Sequence, residues 1–148
     1  MPNGEVQEIH SKLVGVLGGT STMYLASSSD KIWSAGAFYA ELDPFTLTFV
    51  LESRGTSLHN LLVNPSAAVT IAPNGPFQPF LQGRGEVSVR DAAGKQETID
   101  ALISKEPMSK PLIEGGPVEA VDLKLEMWRV TDVTVGWLPS KVLTPGDI

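Results

Sequence analysis

Residues 121–128 read Val-Asp-Leu-Lys-Leu-Glu-Met-Trp, the most regular stretch of the chain. Apolar and polar side chains alternate here with a period of two, the spacing of a strand with one face in a core and the other in solvent. The pattern predicts a long strand near the end of the chain. The apolar face carries Val121, Leu123, Leu125 and Met127, and the opposite face carries Asp122, Lys124, Glu126 and Trp128.

Five further strands are predicted before this one, at residues 20–28, 31–40, about 47–51, 67–72 and 80–90. Helices are predicted in residues 1–19 with Asn3 as N-cap, in residues 55–63 with Thr56 as N-cap, and in residues 91–103. Residues 105–118 contain four breakers, Pro107, Pro111, the pair Gly115-Gly116 and Pro117, and are predicted to be a loop, either functional or disordered. Residues 140–148 are predicted to be a tail. Six mostly antiparallel strands are best closed into a barrel, because closure removes unpaired edges.

The composition limits the classes of function. The 148 residues suffice for one domain with its own core, here residues 1–148. The net charge of −6 and the scattered Lys and Arg argue against a nucleic-acid or membrane partner. The absence of cysteine excludes disulfides and thiolate sites, and with two histidines no metal site is expected. Neither a signal peptide nor an apolar run of roughly 20 residues is present, so we expect a cytoplasmic protein.

Four segments in a fixed order carry a resemblance to a known family. They are Trp33-Ser34-Ala35-Gly36-Ala37-Phe38-Tyr39, Ser53-Arg54-Gly55-Thr56-Ser57 running on to Asn64-Pro65, Phe80-Leu81-Gln82-Gly83-Arg84-Gly85-Glu86-Val87, and Trp128-Arg129-Val130-Thr131-Asp132 with Gly136-Trp137. Together they resemble the pyridoxamine 5'-phosphate oxidase-like FMN-binding split β-barrel superfamily, and in particular its short bacterial members. The resemblance implies a mainly β fold with peripheral helices, a six-stranded antiparallel split β-barrel, and flavin as the cofactor.

The resemblance places the flavin phosphate at the start of the helix in residues 55–63. The family commonly has Ser-Arg-Lys there and this chain has Gly55-Thr56-Ser57, so both cations are missing and only Arg54 can substitute for them. Free backbone N–H groups, the helix dipole and the hydroxyls of Thr56 and Ser57 remain available to a phosphate. The alternative is that Thr56 only caps the helix and that Arg54 lies in solvent.

Small residues on the second predicted strand, Ser34-Ala35-Gly36-Ala37, would let the flavin ring lie against the backbone, although Gly36 also indicates a barrel bend. Resemblance further implies a flavin contact from Gln78, for which the alternative is an exposed side chain beside a turn. His59 matches a histidine or arginine of some relatives, and a surface or phosphate-side position is favoured over a catalytic one. Of the three tryptophans, Trp137 is the one expected beside a ligand.

The resemblance favours an oxidoreductase in which FMN, bound at a homodimer interface, exchanges hydride with a small organic substrate, and no catalytic side chain is assigned. One alternative is the deazaflavin F420 as co-substrate, whose anionic tail requires a cationic groove that this acidic chain does not plainly show. Another is a non-catalytic protein that binds a flavin, another flat ligand or none, which the missing phosphate cations favour. A homodimer is also expected because the five phenylalanines (Phe38, Phe45, Phe49, Phe77 and Phe80) exceed what one small core needs.

Overall fold

The structure, a computed structural model, describes residues 4–148. These residues form one antiparallel sheet of eight strands with α-helices at its periphery, so the mainly β class is confirmed. The strands are β1 (Thr22–Ser28), β2 (Ile32–Phe38), β3 (Ala40–Asp43), β4 (Thr46–Glu52), β5 (Ser66–Ile71), β6 (Phe80–Val89), β7 (Val118–Asp132) and β8 (Trp137–Leu143).

The described α-helices are α1 (Gly4–Gly19), α2 (Thr56–Val63), α3 (Ala92–Lys105) and α4 (Lys110–Glu114), and short 3-10 helices span Pro107–Ser109, Val133–Val135 and Pro145–Asp147. None of the helices in residues 4–148 has the length and apolar character needed to cross a membrane. The main core lies between the sheet and helices α1 and α2, and a smaller cluster packs beneath α3 and α4.

The sheet curls until its two edge strands meet. Its order is β2-β1-β5-β6-β7-β4-β3, and β8 pairs with β7 beside this path. The edge strands β2 and β3 are separated in the chain by one residue, Tyr39, and consecutive Cα atoms are about 3.8 Å apart. The edges therefore come together at Tyr39. This side chain is fully buried, and its hydroxyl donates to the carbonyl oxygen of Leu17 near the end of α1 (2.9 Å).

The long strand β7 organises the sheet. Its first half pairs with β4 and its last residues pair with β8 on the same side, while β6 runs along the other side. The pairing of β6 with β7 slips at one point, where Arg84 pairs with Met127 but Gly85 pairs with Leu125. Glu126 is thus an extra residue in β7. This β-bulge shifts the alternation of the strand by one position.

The bulge places Trp128 in the core, so the prediction that Trp128 shares the solvent face with Glu126 is wrong. The indole is fully buried, and its N–H donates to the carbonyl oxygen of Pro44 (2.7 Å). Gly85 permits the bulge, because a Cβ there would lie 1.9 Å from the Lys124 carbonyl oxygen. Glycine is equally required at Gly83, where a Cβ would lie 2.7 Å from the Trp128 ring.

The sheet has eight strands where the sequence predicted six. The first additional strand, β3, has four residues, too few to show an alternation, and a tight turn in which the Phe45 N–H donates to the Asp43 carboxylate (2.8 Å) leads from it into β4. The second, β8, includes the first residues of the predicted 140–148 tail. Pro139 and the polar residues beside it conceal its pattern in the sequence.

Two further local predictions differ from the structure. Residues 105–118, predicted to be a loop, contain a 3-10 turn and α4, with Pro107 and Pro111 in the first turns, where a missing N–H is tolerated. At α2 the N-cap is Gly55 and not Thr56, which is the first helical residue. The predicted cap Asn3 of α1 lies outside the described residues.

Most of the phenylalanines on which the dimer prediction rests are buried or half-buried in the fold of the single chain. Phe45 and Phe49 belong to the core, and Phe38 and Phe80 are half-buried. Only Phe77 of the five is strongly exposed, at 77% of its full surface. These phenylalanines therefore do not form an exposed apolar surface that a dimer would bury.

Candidate functional site

One cavity of about 670 Å³, which we call cavity A, gathers most of the residues predicted for the flavin site. Small-molecule pockets usually have volumes of about 300–1,000 Å³. Its walls come from β2, the end of β4, the start of α2, and the segment that leads from α3 into β7. The lining residues are Trp33, Ala35, Gly36, Ala37, Phe38, Val50, Leu51, Glu52, Arg54, Gly55, Thr56, Ser57, Leu102, Ser109, Pro111, Leu112, Ile113, Gly115, Gly116, Pro117 and Val118.

The start of α2 forms the polar end of cavity A. After β4 the chain turns, with the Gly55 N–H donating to the Glu52 carbonyl oxygen (3.0 Å), and enters the helix at Thr56. The first N–H groups of an α-helix have no acceptor within the helix, and they carry the positive end of its dipole. Thr56, which is exposed, and Ser57, which is buried, add hydroxyl groups to this end.

Arg54 and Glu52 are the ionisable side chains among the described residues that line cavity A. The Arg54 Nη2 lies 3.8 Å from the Glu52 Oε1, and the two side chains are 76% and 62% exposed. An ion pair at such exposure contributes about 0–1 kcal/mol. A bound anion can therefore compete with Glu52 for the guanidinium.

The opposite wall is the strand β2. Ala35 and Ala37 pair with Leu25 and Met23 of β1 and share their inner face, and all of these side chains are small or apolar. Gly36 adds no side chain, so the backbone of this strand is accessible from the cavity. The arrangement can accept a flat apolar surface with polar edges.

Asn60 holds α2 against the turn between β1 and β2. Its amide group donates to the Ser27 hydroxyl and to the Lys31 carbonyl oxygen (both 3.3 Å), and its oxygen accepts from the Ser29 hydroxyl (2.8 Å). The side chain is almost fully buried. Asn60 thus fixes the two walls of cavity A relative to each other, a role that the sequence did not indicate.

Four predicted site residues lie outside cavity A. Ser34 is exposed and lies on the other face of β2, paired with Ala26, and His59 is exposed on α2. Gln78 and Trp137 line a different cavity, cavity B. The structure therefore brings six of the ten predicted residues together. These are Ala35, Gly36, Ala37, Arg54, Thr56 and Ser57.

The largest missed part of the wall is the segment before β7. Ser109 and Ile113 are buried there, and Leu112 is 61% exposed while still lining the cavity. The breakers of residues 105–118 indicated an unusual segment, yet they did not indicate which cavity it would cover. That assignment depends on how α3 packs across β4 and β7.

Cavity B has a volume of about 760 Å³ and lies between α1, the turn before β6 and the start of β8. Its lining residues are Glu8, Ser11, Lys12, Gly15, Val16, Gly19, Pro73, Asn74, Gln78, Pro79, Val135 and Trp137. Lys12 Nζ donates to Asp132 Oδ2 (2.7 Å) and lies 5.8 Å from the centre of the Trp137 ring.

Asp132 is buried behind this lysine. Its other oxygen accepts from the Thr134 N–H (3.1 Å) and hydroxyl (2.6 Å). Burial by itself raises the pKa of the Asp132 carboxyl, but the hydrogen bonds from Lys12 and Thr134 outweigh it and hold the pKa below its ordinary value. The Asp132 carboxyl is therefore a carboxylate at neutral pH, held against the Lys12 ammonium group.

Comparisons with known proteins bear on the fold. No protein-family model and no curated protein matches the chain. A heme-binding protein from Mycobacterium smegmatis matches with a TM-score of 0.76 at 13% identity, over 92% of this chain and 57% of its own. A candidate pyridoxamine 5'-phosphate oxidase from Listeria innocua matches with a TM-score of 0.65 at 20% identity, over 82% and 97%. The chain has the pyridoxamine 5'-phosphate oxidase-like fold.

An FAD-binding protein from Mesorhizobium loti shares this fold, with a TM-score of 0.65 at 18% identity over 80% of this chain and 90% of its own. The chain thus spans little more than half of the Mycobacterium smegmatis protein and most of the other two. Different ligands occur in the names of these proteins, so the choice of ligand must be argued from the cavities. Within residues 4–148, no cluster of three or more His, Asp or Glu side chains could hold a metal ion.

Proposed function

We propose that the protein is an oxidoreductase that binds FMN in cavity A and acts on a small organic substrate. The observation that carries the proposal is the meeting, in one cavity, of a wall of small residues on β2 and the start of α2 beside Arg54. A flavin nucleotide requires both surfaces, one for its ring and one for its phosphate.

The phosphate would bind at the start of α2. Backbone N–H groups at a helix N-terminus and a neighbouring guanidinium are the donors that favour phosphate. The fit has one weakness, because Arg54 is the single cation that residues 4–148 place in the cavity and Glu52 lies beside it. We therefore expect FMN to bind more weakly than in a site with two or three cations.

The ring would lie against Ala35, Gly36 and Ala37, where its polar edge can reach backbone N–H and C=O groups. The apolar side chains of Leu112 and Ile113 would cover it from the opposite direction and exclude water. When bound, FMN supplies the hydride-transfer chemistry, and the protein supplies position and shelter. No acid or base is assigned, since cavity A contains no ionisable residue besides Glu52 and Arg54 among the described ones.

We also propose that the protein forms a homodimer through the outer face of β1 and β2. Tyr24 and Ile32 lie on this face, 64% and 85% exposed, next to the uncharged residues Ala26, Ser34 and Gly36. Burial of such a face by a second copy removes exposed apolar surface from water. A monomer in light scattering at micromolar concentration would contradict this proposal. A cytoplasmic location stays a prediction of the sequence.

Titration with FMN and with riboflavin tests the flavin site. Arg54→Ala should weaken FMN binding roughly ten- to a hundred-fold, the loss of one charge-assisted contact, and should leave riboflavin binding unchanged. Arg84→Ala is the matched control, because Arg84 is equally exposed (70%), is likewise paired with a glutamate (3.7 Å), and does not line cavity A. Equal FMN affinities in the two variants would contradict the phosphate assignment.

The single cation favours a second candidate, a protein that binds a flat ligand in cavity A without catalysis. Absorbance of the purified protein, followed during addition of a nicotinamide nucleotide, separates the two candidates. A yellow protein whose flavin is reduced supports the oxidoreductase. A protein that binds riboflavin as tightly as FMN and catalyses no reduction supports the second candidate. A titration with F420 tests the remaining cofactor alternative.

A further inference from the structure

Cavity B is a second, largely open cavity that the proposed flavin site does not use. Its volume of about 760 Å³ is that of a small-molecule pocket, and none of its lining residues also lines cavity A. Trp137, Val16 and Val135 provide apolar surface, and Gln78 and Asn74 provide amide groups. Apolar walls with a few polar groups are the usual composition of a ligand pocket.

Lys12 is held in place at the wall of this cavity. One of its three N–H groups donates to Asp132. The Asp132 side chain is 1% exposed and is itself fixed by the two hydrogen bonds from Thr134. Within residues 4–148, no second hydrogen bond from Lys12 is formed. Its remaining donors are therefore available to an acceptor in the cavity that Lys12 lines.

The charges around Lys12 select against an anionic ligand. Asp132 neutralises the lysine, and Glu8 adds a carboxylate to the same wall. A carbonyl or a ring nitrogen can accept a hydrogen bond from Lys12 without introducing further negative charge. Trp137 favours a flat partner, because aromatic rings gain energy from offset or edge-to-face contact beyond the burial of area.

We propose that cavity B binds a small, neutral, planar ring that carries a carbonyl or ring-nitrogen acceptor. The ring packs against Trp137, and the acceptor takes a hydrogen bond from Lys12. This site goes beyond the proposed flavin function, and it is independent of whether cavity A holds FMN.

Benzamide is the probe, and binding is followed by quenching of Trp137 fluorescence in a Trp33→Phe background. Trp128 is fully buried and serves as an internal constant signal. Cyclohexanecarboxamide has the same amide on a non-planar ring, and benzoate has the same ring with a negative charge. We expect benzamide to bind at least about three-fold more tightly than either compound. Tighter binding of benzoate would overturn the choice of a neutral ligand.

Gly15→Leu tests the location without damaging the fold. Gly15 lines the cavity, and a Cβ at this position would have no atom within 4 Å, so the larger side chain enters open space. Leucine is also the better helix former, so the thermal stability should not fall. The Gly15→Leu variant should bind benzamide at least about ten-fold more weakly than the wild type. Val14→Leu is the control on the neighbouring exposed residue, which does not line the cavity.

The double variant Lys12→Met with Asp132→Asn tests the hydrogen bond. Replacing both residues avoids leaving a buried carboxylate without its partner. Benzamide should bind about ten- to a hundred-fold more weakly, and cyclohexanecarboxamide should lose the same factor. Benzamide binding that survives both Gly15→Leu and this double variant would overturn the proposal. FMN titration of Gly15→Leu should match the wild type, and a loss of FMN binding there would show that cavity B is not an independent site.

Discussion

Glu52 should limit the affinity for FMN, so its removal should tighten binding. In the Glu52→Gln variant, Arg54 loses the carboxylate that lies 3.8 Å from its Nη2, and the phosphate loses a neighbouring negative charge. Both side chains are largely exposed, so each effect is screened and the sum is about 0.5–1 kcal/mol. This corresponds to FMN binding about two- to five-fold tighter at low ionic strength.

The assay is FMN titration at about 20 mM and about 500 mM salt, with riboflavin measured in parallel. Screening should abolish most of the gain at high salt, and riboflavin, which lacks the phosphate, should show no gain. Glu126→Gln is a close control, because Glu126 is also 62% exposed and lies 3.7 Å from an arginine, Arg84. An increase in FMN affinity in Glu126→Gln as large as that in Glu52→Gln would refute this role of Glu52, as would an equal increase in riboflavin affinity.

Three other substitutions test the fold and the site. Gly85→Ala should destabilise the protein by about 1–3 kcal/mol in urea unfolding, since its Cβ meets the Lys124 carbonyl oxygen, whereas Gly116→Ala meets nothing within 4 Å and should cost little. Asp132 has a lowered pKa, so its ionised form stabilises the folded state above about pH 4, and this stabilisation is lost as the pH falls further. The free energy of unfolding, measured against pH, should therefore fall less in acid for Asp132→Asn than for the wild type. Asn60→Ala should weaken the binding of FMN and riboflavin alike in titrations, unlike Arg54→Ala, because it loosens α2 from the β1–β2 turn.

Four of the six strands that the sequence predicted have a burial that alternates, whereas the burial of β2 and β4 does not. β1, β5, β6 and the first half of β7 have one face in the core, so their period of two is visible in the chain. β3 is short and β8 has few buried residues, and no local pattern marks either of them. Their pairing is determined by β4 and β7, to which they add, and a single sequence does not contain that information.

The position of Trp128 shows a second reason why a prediction from sequence alone can fail. Up to Leu125 the alternation is correct, and one extra residue, Glu126, then exchanges the two faces of the strand. The residue that makes the exchange possible is Gly85, about forty positions earlier, because only a glycine tolerates the close approach of the Lys124 carbonyl group. The bulge is thus encoded in two strands together, and the alternation of β7 alone predicts the wrong face for Trp128.

In the candidate site, too, features that are adjacent in sequence could be predicted, and contacts between distant segments could not. Arg54 and the start of α2 are neighbours in sequence, so their combination was visible, whereas the contact of this segment with β2 depends on the curl of the sheet. After β4 the chain must cross to β5, which lies next to β1 and is separated from β4 in the sheet by β6 and β7. The helix α2 makes this crossing over the gap between the sheet edges, and Asn60 anchors it to the β1–β2 turn. Cavity A therefore lies at the place where β4 and β2 approach each other, and Tyr39, the single residue between β2 and β3, is the reason that they do.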